Sequence, residues 1–181
     1  MNIYKPKLTL LQQAILRLLF IKRGNVLNQR AIALLLDVSP PAVMKALPGL
    51  EKENLIKLHQ DKDSKRWSVE LNSENNSALL LKQVDNLKQI FESGLASYLE
   101  NENPGATIIL FGSYSRGEDT ITSDIDIAIV GRKEKTMNLK QFEKMLERAI
   151  NVNCYESFEK IHKHLKENLC NGIVLSGGIR L

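Results

Sequence analysis

Cysteine is scarce in this chain: Cys154 and Cys170 are the only two in 181 residues. They lie far apart, without metal-ligand spacing or the pattern of a disulfide framework, so both are expected to be buried apolar filler in a cytoplasmic protein. Long apolar runs are missing too. Nothing approaches the roughly 18 consecutive apolar residues of a membrane span. The basic start, Met1 to Lys7, leads into a stretch broken by Gln12, Gln13 and Arg17 with no small-residue cleavage site, so no signal peptide is expected. The three histidines, His59, His162 and His164, form no metal pattern with acids or thiols, and the last two read as helix-surface residues. The glycines near the end, Gly172, Gly177 and Gly178, lack the strand, Gly-rich loop and helix order of a phosphate cradle and read as turns. There is no internal repeat and no low-complexity tract.

What is present suits a globular protein of one or two domains, with 43% hydrophobic and 25% charged residues. The charge is uneven. Residues 1–72 carry 12 Lys/Arg against 6 Asp/Glu, and residues 73–181 carry 13 against 15. A basic first part suits a polyanionic partner, although the excess is modest.

In that first part Leu11, Ile15, Leu18 and Leu19 recur at helical spacing up to Gly24. Asn28 is placed to cap a second helix, Ala31 to Leu36. Ser39 followed by Pro40 is a helix start, because a serine oxygen accepts from the first free N–H groups and proline's missing N–H costs nothing there. The third helix should run toward Glu53 with a kink or early break at Pro48-Gly49. Leu55 to Leu58 and Trp67 to Leu71 flank a polar charged tip and read as a hairpin, with Trp67 on its inner face as core. Three helices and a hairpin predict a winged helix-turn-helix over residues 1–72.

Leu80, Val84, Leu87, Phe91, Leu95 and Tyr98 mark one long amphipathic linker helix within 73–103. It should pack on the following domain or pair with a second subunit in a homodimer. Residues 104–181 alternate. Apolar strand runs occur at Thr107–Phe111, within Ile121–Val130 and at Ile150–Tyr155. Helical stripes occur at Leu139, Phe142, Met145, Leu146 and Ala149, and at Phe158, Ile161, Leu165 and Leu169. The fold class expected is α+β, the last part being an α/β domain with a small mixed sheet.

Chemistry concentrates in two pieces. Strand side chains alternate, so Asp124 and Asp126 share one face while Ile125, Ile127 and Ile129 share the other. Two carboxylates about 6.5–7 Å apart along a strand can converge on one cation. Keeping both charged beside an apolar strand is costly without that cation. Oxygen ligands with no His or Cys favour a hard ion, Mg²⁺ or Mn²⁺. The other piece is Gly112-Ser113 at the end of an apolar strand. Gly112 allows close backbone approach, and Ser113 offers a hydroxyl and an N–H to a phosphate. Arg116 is a further cation for a phosphate or a partner for Glu118 or Asp119. Phosphoryl-type transfer asks mainly for such positioning and charge stabilisation.

Gly112-Ser113, ten residues, then Asp124-Ile125-Asp126 resembles the signature of the polymerase-beta superfamily, and in particular its small prokaryotic minimal nucleotidyltransferases. The likeness extends to Arg116-Gly117-Glu118 and Ser123 and covers roughly residues 104–178. It implies a nucleoside triphosphate, Mg²⁺, and transfer of a nucleotidyl group, AMP in some relatives, to an acceptor hydroxyl on protein or RNA. Asp124 and Asp126 would be the catalytic metal ligands, and Gly112, Ser113, Arg116 and Ser123 would meet the nucleotide. Some relatives are antitoxins that modify a helical HEPN-type toxin. The family often adds a third carboxylate on the next strand, where this chain has Asn151, Asn153 and Tyr155. Asn153 looks like its replacement, with Glu156 just beyond as the weaker candidate. An amide offers one neutral oxygen and no base. The alternative is therefore a catalytically weak or inactive nucleotidyltransferase-like protein that binds DNA and regulates transcription.

For DNA, the helix starting at Ser39 has Lys45 as its one visible polar side chain for the groove, while Arg30 and the wing residues Lys62, Lys65 and Arg66 suit phosphate contacts. Asp61 and Asp63 oppose them.

Overall fold

The computed structural model describes residues 7–60 and 67–179. The chain divides into two compact units, residues 1–79 and 80–181.

The first unit opens with α1 (Leu10–Ile21), capped by Thr9 and Gln12, whose side chains each bond the other's backbone N–H. After it come β1 (Leu27–Asn28), α2 (Gln29–Leu35), α3 (Pro40–Lys52), β2 (Ile56–Gln60) and β3 (Trp67–Leu71). Asn28 caps α2 by accepting from the Ala31 N–H at 2.9 Å, and Ser39 caps α3 by accepting from Ala42. The sheet order is β1-β3-β2, antiparallel throughout. Three helices with this small sheet make a winged helix. Its core joins Ile15, Leu19, Ile32, Leu47, Leu50 and Val69.

Four expectations change here. Helix α3 does not break at Pro48-Gly49 but continues to Lys52. Pro48 removes one N–H from the ladder, yet the Gln12 amide of α1 donates to Ala46 O at 3.1 Å and ties that stretch to its neighbour. Strand β1 is an addition that two residues could not announce. Trp67 is 39% exposed, since it sits at the outer end of β3 beyond the core that Val69 and Leu71 enter. Cys170, in the second unit, is exposed rather than filler, and Cys154 is half-buried.

Helix α4 (Asn76–Glu92) carries the chain into the second unit and ends at Gly94, whose left-handed φ of +79° breaks the expected single helix before α5 (Leu95–Glu102). The expected stripe divides accordingly. Leu95 is buried and Leu87 and Tyr98 pack against the same core, whereas Leu80, Val84 and Phe91 are exposed. The rest is β4 (Thr107–Phe111), a single helical turn α6 (Gly112–Arg116), β5 (Ile125–Val130), α7 (Lys140–Leu146), β6 (Ile150–Tyr155), a 3₁₀ turn (Phe158–Lys160), α8 (Lys163–Cys170) and β7 (Ile173–Ser176).

The sheet order is β6-β5-β4-β7, with β5 and β6 parallel and the other pairs antiparallel. This is the small mixed sheet, and it is covered on both faces. Ile125, Ile127 and Ile129 enter one core with Ile108, Leu110 and Leu99. Ile109, Ala128 and Val130 enter the other with Ile161 and Leu169. Met145 of α7 is exposed, unlike Phe142 and Leu146. Strand β7, placed in the glycine-rich tail, completes the sheet beside β4. No single helix among the described residues is long and apolar enough to cross a membrane.

Candidate functional site

Strand β4 delivers its last residue, Phe111, opposite Asp126 of β5, and β5 delivers Asp126 opposite Asn151 of β6. Three neighbouring strands therefore end their alternating faces at one edge of the sheet. The buried Ile125, Ile127 and Ile129 fix the phase of β5, so Asp126 must project from the other face. Asp124, two residues earlier, is exposed. The Asn151 amide donates to Asp124 Oδ2 at 3.1 Å and to Asp126 Oδ1 at 3.4 Å, which brings both carboxylates to one point.

Gly112 closes the other side. Its φ is +76°, and a Cβ there would stand 2.6 Å from Asp126 Oδ2. Only glycine gives this backbone conformation and this approach together. The following residues form α6, closed by Gly117 in the left-handed region and by the Glu118 N–H donating to Ser113 O at 2.9 Å. Ser113 thus stands at the start of a one-turn helix directly after Gly112.

Arg116 pairs with Glu118, Nε to Oε2 at 2.8 Å, which is the second of its two expected roles. The Ser123 hydroxyl accepts from the Thr120 N–H at 2.9 Å and so shapes the bend that leads to Asp124. Its side chain is engaged with the protein at that point.

The third position differs from the sequence expectation. Asn153 pairs in register with Ala128, one step further along the strands, and the amide that reaches the two carboxylates is Asn151. Glu156 lies past the far end of β6 and pairs with Lys160, whose ammonium holds the Glu156 carboxyl below its ordinary range. Among the described residues no group of three or more His, Cys, Asp and Glu side chains gathers around a metal position.

The donor set still fits a hard divalent ion. Two carboxylate oxygens already share one positively polarised amide hydrogen-bond donor, which is the electrostatic demand that a cation would meet more fully. Beside Asp126 an open depression of about 460 Å³ runs along β6 past Asn151 and Asn153, with Glu134 and Lys135 on its rim. Cys154 also lines it, and burial pushes that thiol up. A larger depression, about 690 Å³, lies at the opposite end of the sheet by Thr107, Val130 and Gly131, and neither aspartate lines it.

Residues 92–175 match the family model of the nucleotidyltransferase domain. The nucleotidyltransferase match runs from the last residue of α4 into β7, and contains β4, β5 and β6 and all but the last residue of β7. Similar solved structures include the MepR–DNA complex of S. aureus, 27% identical over 53% of this chain and 74% of that one, with a TM-score of 0.40. The zinc-responsive MarR family member ZitR of Lactococcus lactis is 29% identical over 54% and 63%, TM-score 0.39. The adhesin competence repressor AdcR of Streptococcus pyogenes is 24% identical over 56% and 70%, TM-score 0.43. The chain spans a little under two thirds of ZitR. No curated protein matches it.

Of the residues expected to contact DNA, Arg30 on α2 and Lys45 on α3 are both exposed. Lys62, Lys65 and Arg66 lie outside the described residues.

What the sequence missed is a buried polar cluster behind the turn. Lys82, Asn86, Asp119 and Arg148 are all at most 5% exposed. Lys82 and Asn86 lie one helical turn apart on α4, a spacing visible in the sequence. Nothing local marked Asp119, 37 residues on, as their partner.

Proposed function

We propose that the second unit transfers a nucleotidyl group, AMP in the first instance, from a nucleoside triphosphate to an acceptor hydroxyl on a protein or an RNA. The observation that carries this reading is the convergence of Asp124, Asp126 and Gly112 at one sheet edge, within a segment that matches the nucleotidyltransferase domain. Asp124 and Asp126 hold a divalent cation, Mg²⁺ or Mn²⁺. When bound, that ion neutralises charge on the triphosphate and polarises it. Gly112 and Ser113 receive the phosphates on the adjoining turn, where the missing side chain of Gly112 permits close backbone approach. The acceptor oxygen bonds to the α-phosphorus, the bridge to the β-phosphate breaks, pyrophosphate leaves with that bridging electron pair, and the hydroxyl proton passes to solvent. Arg116 and Ser123 are further groups placed to meet the nucleotide, and in the free protein each also bonds within the turn or the bend to Asp124.

The direct test is incubation with ATP labelled at the α-phosphate, Mg²⁺ and candidate acceptors, among them any helical toxin-like protein encoded beside it. Label should pass to an acceptor, and Asp124→Ala with Asp126→Ala should abolish the transfer. Transfer that survives the double substitution would refute the assignment.

One observation favours a second reading. Asn151 occupies the place beside both aspartates and cannot act as a base. On that reading the second unit binds nucleotide without efficient transfer, and the winged helix binds DNA through Lys45 on α3 with Arg30 against phosphate. Mobility shift on DNA upstream of the gene should then show binding that weakens steeply between low and moderate salt. Unchanged mobility at low salt would count against it.

A further inference from the structure

Asp119 is fully buried, and three side chains from two parts of the chain meet on it. Lys82 Nζ of α4 donates to its Oδ1 at 2.6 Å, and Asn86 Nδ2 donates to the same oxygen at 2.7 Å. Arg148, just before β6, brings Nη2 to 3.6 Å from its Oδ2. The same face of α4 holds the backbone of α6. Asn86 Nδ2 donates to Tyr114 O at 2.8 Å, and Gln83 Nε2 donates to Ser115 O at 2.8 Å. A one-turn helix leaves its last carbonyls without the partners that a longer helix would supply. Here α4 adds a second donor to Tyr114 O, which also accepts from the Gly117 N–H at 3.3 Å, and a donor to Ser115 O.

A buried ion pair is a poor device for stability alone, because desolvation offsets most of its attraction and apolar replacements often do as well. What it gives is a fixed geometry. Asp119 lies two residues after Gly117 and five before Asp124, so holding it fixes the end of the glycine-serine turn and the start of the bend to the carboxylates. Arg148 lies three residues before Asn151.

We propose that Lys82, Gln83, Asn86 and Asp119 are the positioning residues of the nucleotide site: through them α4 sets where the Gly112-Ser113 turn stands relative to Asp124 and Asp126, and so sets affinity for the triphosphate. The inference rests on reading that turn as the triphosphate site. It predicts a separation between two affinities that a merely structural role does not give.

The test uses the full chain and its Asn86→Ala and Gln83→Ala variants. Each is followed by thermal melting, by Mn²⁺ titration with paramagnetic resonance, and by titration with a non-hydrolysable ATP analogue in Mg²⁺. Both variants should melt cooperatively and bind Mn²⁺ as the parent does, while affinity for the analogue falls about tenfold, as expected for loss of a buried hydrogen bond. Gln83 is only part-buried, so its variant decides the matter if Asn86→Ala does not fold. Variants that bind the analogue as tightly as the parent overturn the inference. So do variants whose analogue and Mn²⁺ affinities fall together with the melting temperature. A parent chain that binds Mn²⁺ but no analogue removes the triphosphate reading itself and the inference with it.

Discussion

Asn151 bonds both aspartates at the proposed cation site. Its amide hydrogens now lie between two carboxylates, and a carboxylate in its place would put three acids at one point. Asn151→Asp should lower the melting temperature of the metal-free protein, because three like charges then repel at one point and the amide bonds to both aspartates are lost. Added Mn²⁺ should restore it, since a ligand that binds only the folded state stabilises that state. Mn²⁺ affinity should rise about tenfold or more as a third anionic ligand is added. Chelator titration followed by melting reads all three effects, and an affinity unchanged by the substitution would mean that residue 151 does not face the cation. The two aspartates were legible in the sequence because strand alternation needs only neighbouring residues. The choice between Asn151 and Asn153 was not, because it depends on how β6 slides against β5. That register is set by packing of Ile150 and Val152 against a core assembled from distant segments.

At the level of elements, the helix starts were readable from single residues. Asn28 and Ser39 each cap the helix they announce, since a cap is a bond across three residues. Strands β1 and β7 were hidden for the opposite reason: both are short and owe their existence to a partner strand. The approach to β7 is unusually tight. A Cβ on Gly172 would stand 2.6 Å from Leu110 O and 3.1 Å from Leu169 O, both backbone atoms that cannot swing away. Gly172→Ala should therefore destabilise the second unit by about 1–3 kcal/mol, the usual cost of overpacking. Denaturant melts would read this as an earlier midpoint. Gly178→Ala is the control, because nothing lies within 4 Å of the added carbon. Equal midpoints for the two would show that β7 docks more loosely than described.

On the scale of the whole molecule, the two-part organisation was visible in the change from helices and a hairpin to alternating strands and helices, and in the basic bias of residues 1–72. The role of α4 was not, because its polar face is matched by residues 28 to 37 positions away. The family match opens at residue 92, the unit opens at residue 80, and the side chains that grip Asp119 and the α6 carbonyls lie between. A fragment begun at residue 92 should lose cooperative melting, whereas one begun at residue 76 should keep it. Calorimetry of the two fragments checks this. The compact unit is larger than the segment that matches the family model. Cutting at residue 92 would keep Gly112, Asp124 and Asp126 and discard the splint that braces the turn between them.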